Sequence, residues 1–438
     1  MMQPPPMSDH FASRQPSVIR ISQIEFAKRN DGTRALNVAI GNVSLPMHPA
    51  MIERLHDLSA PTSPFREGVV AYTSTVGLEE TNRAFLHIIA SSGFDSSKLH
   101  CQITDGGSQA MELCALGVCG PAGTSERPLL LIDAAYTNYL AFAERVGRPT
   151  VSVCRTLGDD GKFSLPPLGD IERVIVQQKP GAMVVIPYDN PTGHFYDQAT
   201  LVELAKLCTK HGLWMISDEA YRELCYSSDH TSSIWGVTNA EVPGIEGRRI
   251  SIETASKVWN ACGLRIGALV TDSADFHDRA VAENTASLCP NAVGQYVLGA
   301  LAHQSHAELR RWYEQLRSYY REMLLSFTAE LRQLVPNIVV SSPDASIYSV
   351  VDVRSVAKPE FDAMNFVQYC ASRGAVDIDG TPTTLLTAPM AGFYRTAPDG
   401  SNPGRTQMRI AYVLPPEQMA RVPKLLAELF RQYEAQRG

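Results

Sequence analysis

The sequence predicts an α/β protein in which a mostly parallel central sheet, covered by helices on both faces, is joined to a smaller α+β domain. Three observations carry this. Between residues 102 and 270, short apolar runs alternate with helical stretches, the pattern of strands joined by crossover helices. Beyond about Thr271 long helices precede paired strands, a different architecture. At 438 residues, 44% hydrophobic and 19% charged, the chain can bury a large core and divide in two.

Residues 1–16 are polar and rich in Pro, and disorder is expected there. From Val18 the apolar spacing is helical up to the turn Asn30-Asp31-Gly32. A strand at Ala35–Ile40 then ends on Gly41, where a strand-closing glycine marks either close backbone approach or a simple turn. A polar loop with Tyr72 leads into a helix at Leu78–Ser91. Strands are expected at Gln102–Thr104, Leu129–Ile132, Val151–Val153, Met183–Pro187, Leu213–Ser217, Arg249–Ile252 and Gly267–Val270. Helices fall between most of them, at Ser108–Val118, Tyr139–Val146 and Ala199–Lys210. Further helices are expected at Gln295–Ala302 and Ala307–Leu334, followed by strands at Asn337–Ser341 and Ser346–Val353 and a helix near Phe361–Arg373. A loop rich in Gly, Pro and Thr, a strand at Met408–Val413 and a last helix complete the chain. The expected division is a tail (1–16), an N-terminal segment of the small domain (17–60), the large domain (61–305) and the C-terminal part of the small domain (306–438).

A net charge of −7 and a pI near 5.9 give no basic footprint for nucleic acid. Nine scattered cysteines with no CxxC pair indicate neither a disulfide framework nor a zinc site, so reduced thiols in a cytoplasm are expected and no metal. No apolar run approaches the roughly 18 residues that span a bilayer, and the N-terminus lacks the apolar core of a signal peptide; no membrane partner is expected.

Ligands of parallel sheets sit beyond the carboxyl ends of the strands, and four stretches place reactive side chains there. Ser251–Gly267 carries a lone Lys257 after a strand, with Arg265 eight residues on. A lysine becomes a nucleophile once its proton is lost, and a free amine forms a Schiff base with an aldehyde. Thr104-Asp105-Gly106-Gly107-Ser108-Gln109 opens a helix, a natural seat for a phosphate or simply a serine cap. Asn190 stands in Asn-Pro-Thr-Gly, able to hydrogen-bond a ligand oxygen or merely to shape the turn. Asp218 ends an apolar strand with Tyr221 three residues on; desolvated, it needs a partner such as a protonated ring nitrogen, an arginine or a helix cap. Tyr136 and Tyr139, after the strand at 129–132, are placed to stack on a planar ligand or to pack in the core.

Together these stretches ask for a planar aldehyde with a phosphate and a basic ring nitrogen. The ordered set GGSQA, Tyr136, NPTG, SDEAY, TASK with GLRIG, and MRIAY resembles the class I/II aminotransferases, fold type I enzymes of pyridoxal 5′-phosphate, over nearly the whole chain after residue 17. The resemblance implies catalytic roles for Lys257, as Schiff base and proton carrier, for Asp218 on the pyridine nitrogen and for Tyr221. It further implies that Asn190 and Tyr221 meet the phenolic oxygen, that Tyr136 stacks on the ring, and that Gly107, Ser108, Thr254 and Arg265 hold the phosphate. Tyr72 would reach the phosphate of a neighbouring subunit, making the active unit a homodimer. Arg409 and Gly41 would bind the substrate, Arg409 through its α-carboxylate. The implied reaction moves the amino group of an L-amino acid, of the aspartate, alanine or glutamate kind, to a 2-oxo acid. The alternative is a lyase using the same cofactor, by C–S β-elimination or in the manner of cyclopropane-forming synthases. Two departures stand out. Ala134 occupies the place of a proline usual in the family, and no second arginine for a dicarboxylate appears in Thr285–Gln295. Phe393, Tyr394 and Tyr348 are candidates for the side-chain pocket floor, with Arg395 and Arg405 nearby either to meet a distal carboxylate or to stand as solvated loop charge.

Overall fold

The computed structural model describes residues 5–437. The first four residues of the expected tail lie outside that range. Within the rest of the tail a single exposed helical turn, α1 (Asp9–Ala12), forms on a Ser8 cap.

Seven strands build the large sheet: β2 (His100–Asp105), β3 (Leu129–Asp133), β4 (Thr150–Cys154), β7 (Ala182–Val185), β8 (Trp214–Asp218), β9 (Arg249–Thr254) and β10 (Ile266–Thr271). A two-residue hairpin, β5 (Thr156–Leu157) with β6 (Phe163–Ser164), hangs beside it. The spatial order is β2-β10-β9-β8-β7-β3-β4. Neighbours from β9 to β4 run parallel, whereas β10 lies antiparallel to both β9 and β2. An antiparallel pair needs no crossover helix, so the loop between β9 and β10 returns at once along the same edge of the sheet. Lys257 and Arg265 both ride on that loop.

Alternate side chains of a strand face opposite sides, and both sides are covered. Leu129, Leu131, Val184, Ile216, Ile250, Ile252 and Leu269 pack with α5 (Gly106–Val118) and α9 (Ala274–Asn284). Leu130, Ile132, Met183, Val185, Met215, Ala268 and Val270 face the larger core, with α4 (Glu79–Ser91), α8 (Gln198–His211) and the long α11 (His306–Leu334). Burial on both faces is why these strands read as continuous apolar runs.

The remaining strands form two small sheets. One has the order β11 (Val339–Val340), β12 (Tyr348–Asp352), β16 (Gln407–Ala411), β15 (Ala388–Pro389), all antiparallel. In the other, β1 (Arg34–Asn37) pairs in parallel with β14 (Thr381–Leu386), which pairs with β13 (Val376–Ile378). Strand β1 of the N-terminal segment thus pairs with a strand from the C-terminal part of the chain. The stretch before Met408, expected as a loop, is partly strand, because the β-branched Thr383 and Thr384 and the apolar Leu385 and Leu386 lie in register against Arg34–Asn37. Helices at Pro49–His56 (α3), Leu168–Gln178 (α7) and Ala274–Asn284 were not among those expected. The helix expected from Gln295 starts earlier, at Ala292, where the Asn291 side chain caps Gly294 N–H.

One close approach locks β10 to α5. A Cβ at Gly267 would stand 2.5 Å from the Gly106 carbonyl carbon and 2.6 Å from Gly107 N. Both are backbone atoms that cannot rotate aside. Gly267→Ala is expected to lower folding stability by about 1–3 kcal/mol through this overpacking, read as a reduced denaturant midpoint; an unchanged midpoint would contradict the contact.

Candidate active site

The carboxyl ends of β3, β7, β8 and β9, the start of α5, the N-terminal segment after β1 and the edge of β12 and β16 enclose one cavity of ≈ 400 Å³, the size of a small-molecule site. Gly41, Gly107, Ser108, Tyr136, Asn190, Asp218, Tyr221, Thr254, Lys257, Arg265 and Arg409 all line it. Tyr72 does not; its side chain is 78% exposed, beside the exposed Val69 and Val70.

Lys257 donates to the Gly41 carbonyl at 2.5 Å. Gly41 has no room for a side chain, since a Cβ would lie 2.1 Å from the Tyr348 hydroxyl and 3.2 Å from Lys257 Nζ. The Tyr348 and Tyr221 hydroxyls are 2.9 Å apart, and Asn190 Nδ2 donates to Tyr221 at 3.4 Å. Burial pushes the Tyr221 hydroxyl well up, helped by Tyr348, so it stands as a neutral donor. Burial acts the same way on Tyr348, but the Lys257 ammonium and the Arg409 guanidinium outweigh it and hold that hydroxyl below its ordinary value.

Asp218 ends β8 and accepts from the Tyr139 hydroxyl and from Ala220 N at 3.1 Å. Among the described residues no lysine, arginine or histidine forms an ion pair with it. Burial accordingly raises its pKa, with the Tyr139 hydrogen bond opposing. Tyr136 stands edge-on to Tyr139, ring centroids 5.6 Å apart, and burial pushes its hydroxyl up to about 12.

At the other end of the cavity, Gly107 and Ser108 open α5, whose N-cap Asp105 makes no side-chain cap bond. Thr254 Oγ1 donates to Ser256 Oγ at 2.8 Å, and Arg265 closes the loop with a left-handed backbone, φ 55°. Free helix N–H groups, three hydroxyls and a guanidinium form a cradle for a dianion.

Arg409, in the middle of β16, is 2% exposed. Its Nη1 donates to Asn190 Oδ1 at 2.8 Å and its Nη2 to the Ala39 carbonyl at 2.7 Å, while among the described residues Nε has no partner. The guanidinium lies 4.4 Å from the Tyr348 ring centroid and 5.2 Å from that of Phe393. Among the described residues no carboxylate pairs with it. A buried, unneutralised guanidinium with a free donor calls for an anion to complete it.

Two buried charge networks hold these groups from behind. Arg155 pairs with Asp189 at 2.9 Å, and Asp189 accepts from Thr192 N and Oγ1 at 3.0 and 2.6 Å, which fixes the turn that presents Asn190. Arg222 bridges Glu219 and Glu253 at 3.3 and 2.6 Å, tying the segment after Asp218 to β9 below Thr254. Sequence reasoning missed both, since Arg155 and Asp189, and Arg222 and Glu253, lie more than 30 residues apart in the chain. Ser256, two residues after Thr254 in the same motif, and Arg20, on α2 (Val18–Phe26), also line the cavity unexpectedly.

Of the candidate floor residues, Tyr348 lines the cavity, Phe393 lies behind Arg409, and the Tyr394 hydroxyl instead donates to Gln407 at 2.8 Å. Arg395 donates to the Thr150 carbonyl at 2.7 Å, and neither it nor Arg405 reaches the cavity. Among the described residues no group of three or more His, Cys, Asp or Glu stands where it could hold a metal. The donor set fits a flat ring with a protonated nitrogen at one edge and a dianion at the other, set within reach of an amine.

Residues 36–422 match the family model described as aminotransferase class I and II. The chain is 23% identical to the putative aminotransferase YugH of Bacillus subtilis over 353 residues, 80% of this chain and 84% of that protein. It is 22% identical to an aspartate aminotransferase of Musicola paradisiaca, over 76% of this chain and 78% of that one. The structure of N-succinyldiaminopimelate aminotransferase from Mycobacterium tuberculosis superposes with a TM-score of 0.79 at 19% identity, covering 97% of this chain and 100% of that one. For Thermus thermophilus aspartate aminotransferase with maleate the values are 0.77, 18%, 97% and 100%. The fold is that of the fold type I aminotransferases.

The unpaired Asp218 carboxylate yields one expectation. Its folded form holds a proton more tightly than an ordinary aspartate of pKa 3.8, so its contribution to stability is fully present below that value and is lost as pH rises through the raised one. Free of any ligand, Asp218→Asn is expected to unfold at a higher temperature than the natural protein at neutral pH, with the difference vanishing in acid. A lower midpoint at neutral pH would show the carboxylate to be compensated.

Proposed function

The chain belongs to the class I and II aminotransferases, and from that premise we propose that it carries the amino group of an L-amino acid, of the aspartate, alanine or glutamate kind, to a 2-oxo acid with pyridoxal 5′-phosphate as cofactor. The observation that carries this reading is Arg409, a buried guanidinium among the described residues without a carboxylate partner and facing the same cavity as Lys257. An α-carboxylate completes it in bidentate fashion, which a lysine could not do as well.

The other residues follow from the cofactor's shape. Ser108, Thr254 and Arg265, with the N–H groups at Gly107 and the start of α5, hold the phosphate. Asp218 keeps the ring nitrogen protonated, Tyr136 covers a ring face, and Asn190 and Tyr221 donate toward the phenolic oxygen. Bound there, the cofactor supplies a carbonyl that takes up amines and a ring that withdraws electrons from the amino acid's Cα. Lys257 supplies the amine that holds the cofactor and, when free, would move the proton between the substrate's Cα and the cofactor's C4′. The Gly41 carbonyl and the neighbouring Tyr348 hydroxyl orient that amine. Arg409 and Asn190 fix the substrate so that its Cα proton faces Lys257, and holding reacting atoms in place is itself a large part of the rate.

Tyr72 is read as reaching a second subunit across an interface formed by the exposed Val69, Val70 and Tyr72 segment, so that the working unit is a homodimer. A fully active monomer in light scattering would remove that role. The nine cysteines stand as free thiols, in keeping with a cytoplasmic location, and no helix among the described residues is long and apolar enough to cross a membrane.

The test is a half-reaction. Cofactor-loaded protein is mixed with single L-amino acids and the products are identified. One group of donors is expected to give its 2-oxo acid while the amino group stays on the protein-bound cofactor, to be released as a new amino acid when a 2-oxo acid is added. Free ammonia accumulating with the 2-oxo acid would replace transfer by elimination.

A further inference from the structure

Among the described residues, four cationic side chains line the cavity, Lys257, Arg265, Arg409 and Arg20, against one carboxylate, Asp218. Under the proposed function three of the cations and the carboxylate are committed: Lys257 to the cofactor carbonyl, Arg265 to the phosphate, Arg409 to the α-carboxylate and Asp218 to the ring nitrogen. Arg20 is left over. Among the described residues its guanidinium has neither an acidic partner nor a hydrogen-bond acceptor.

Its position is fixed by its neighbours in the chain. Val18 fills the space above Gly392, where a Cβ would come within 2.8 Å of it. Ile19 packs on the apolar cluster that contains Ala39, Met390 and Phe393, and Ser22 is fully buried. Phe393 is one of the two rings on which the Arg409 guanidinium lies, and Ala39 offers Arg409 its carbonyl. Arg20 is thus mounted on the wall that holds Arg409, on the solvent side of the same cavity. The loop cations expected as candidates for a distal carboxylate are elsewhere, with Arg395 held by Thr150 and Arg405 outside the cavity.

We propose that Arg20 is a specificity-determining residue that receives a distal carboxylate, so that the preferred donors and acceptors are dicarboxylic amino and 2-oxo acids. The inference rests on the function proposed above. A guanidinium and a carboxylate form a two-pronged, charge-assisted pair. Such a pair is weak in open water and strengthens as the bound substrate displaces water from the cavity mouth. A monocarboxylic substrate leaves Arg20 in solvent, gaining nothing from it.

The test uses the cofactor-loaded protein, with Arg20→Ala and Arg20→Lys. For aspartate and glutamate, Arg20→Ala is expected to lose about tenfold or more in kcat/KM, against no more than about twofold for alanine and 2-aminobutyrate. Arg20→Lys should recover part of the loss, because it restores the charge without the fork. As a readout apart from turnover, calorimetry should show succinate binding more tightly than butyrate, a preference that added salt weakens and Arg20→Ala abolishes. Equal losses on both donor classes, or a succinate preference that survives Arg20→Ala, would overturn the proposal by leaving Arg20 a structural residue of its helix. If no donor is turned over the proposed function falls, while the succinate comparison still decides the role of Arg20.

Discussion

The reversal of one strand governs the site. Because β10 runs antiparallel between β9 and β2, the chain leaves β9 at Thr254 and re-enters the sheet at Ile266 on the same edge, without a helix between. A crossover would have carried Arg265 to the far end of the sheet. The hairpin instead brings Lys257, Thr254, Ser256 and Arg265 to the edge where β8 ends at Asp218 and the turn after β7 presents Asn190. The start of α5 is brought there too, since β2 lies against β10 and Gly267 lets the Gly106–Gly107 backbone come within van der Waals contact.

The buried charges around the cavity divide into paired and unpaired. Desolvated charges are expensive when alone, and the molecule neutralises those that serve only structure: Arg155 with Asp189, and Arg222 with Glu219 and Glu253. Among the described residues it leaves Arg409, 2% exposed, and Asp218, on the cavity wall, without ionic partners. The contrast separates frame from function. The paired charges hold the turns at Asn190 and Asp218, whereas the unpaired ones line the cavity, where under the proposed function a cofactor and substrate of complementary charge would offset the cost of their desolvation.

Much of this was legible in the chain because the site residues sit at strand ends, where apolar runs stop abruptly at a polar residue. Leu213–Ser217 stops at Asp218, and Asn190 follows the run Met183–Pro187 by three residues in a turn, so the ends of buried strands show where to look for chemistry. Tyr136, Lys257 and Arg409 were legible through motifs whose order along the chain is specific. The antiparallel sense of β10 was not, because a six-residue apolar strand reads the same in either direction. Strand β14 was taken for loop, since Thr and Pro at 381–384 look like turn chemistry until β1 pairs with them. The buried networks were also hidden, because Arg155 and Asp189, or Arg222 and Glu253, are joined only by the fold. Arg20 carried no signal in its own helix; only the packing of Val18 and Ile19 sets it over the cavity.

The central claim is that Lys257 is the amine this cavity was built around, with Asp218, Arg265 and Arg409 placed to serve what binds there. The most direct measurement is to incubate the protein with pyridoxal 5′-phosphate, reduce with borohydride and map the modified peptides by mass spectrometry. A single stoichiometric label on Lys257, lost in Lys257→Ala, is the predicted result. Labelling spread over surface lysines, or none on the peptide containing Lys257, would contradict it.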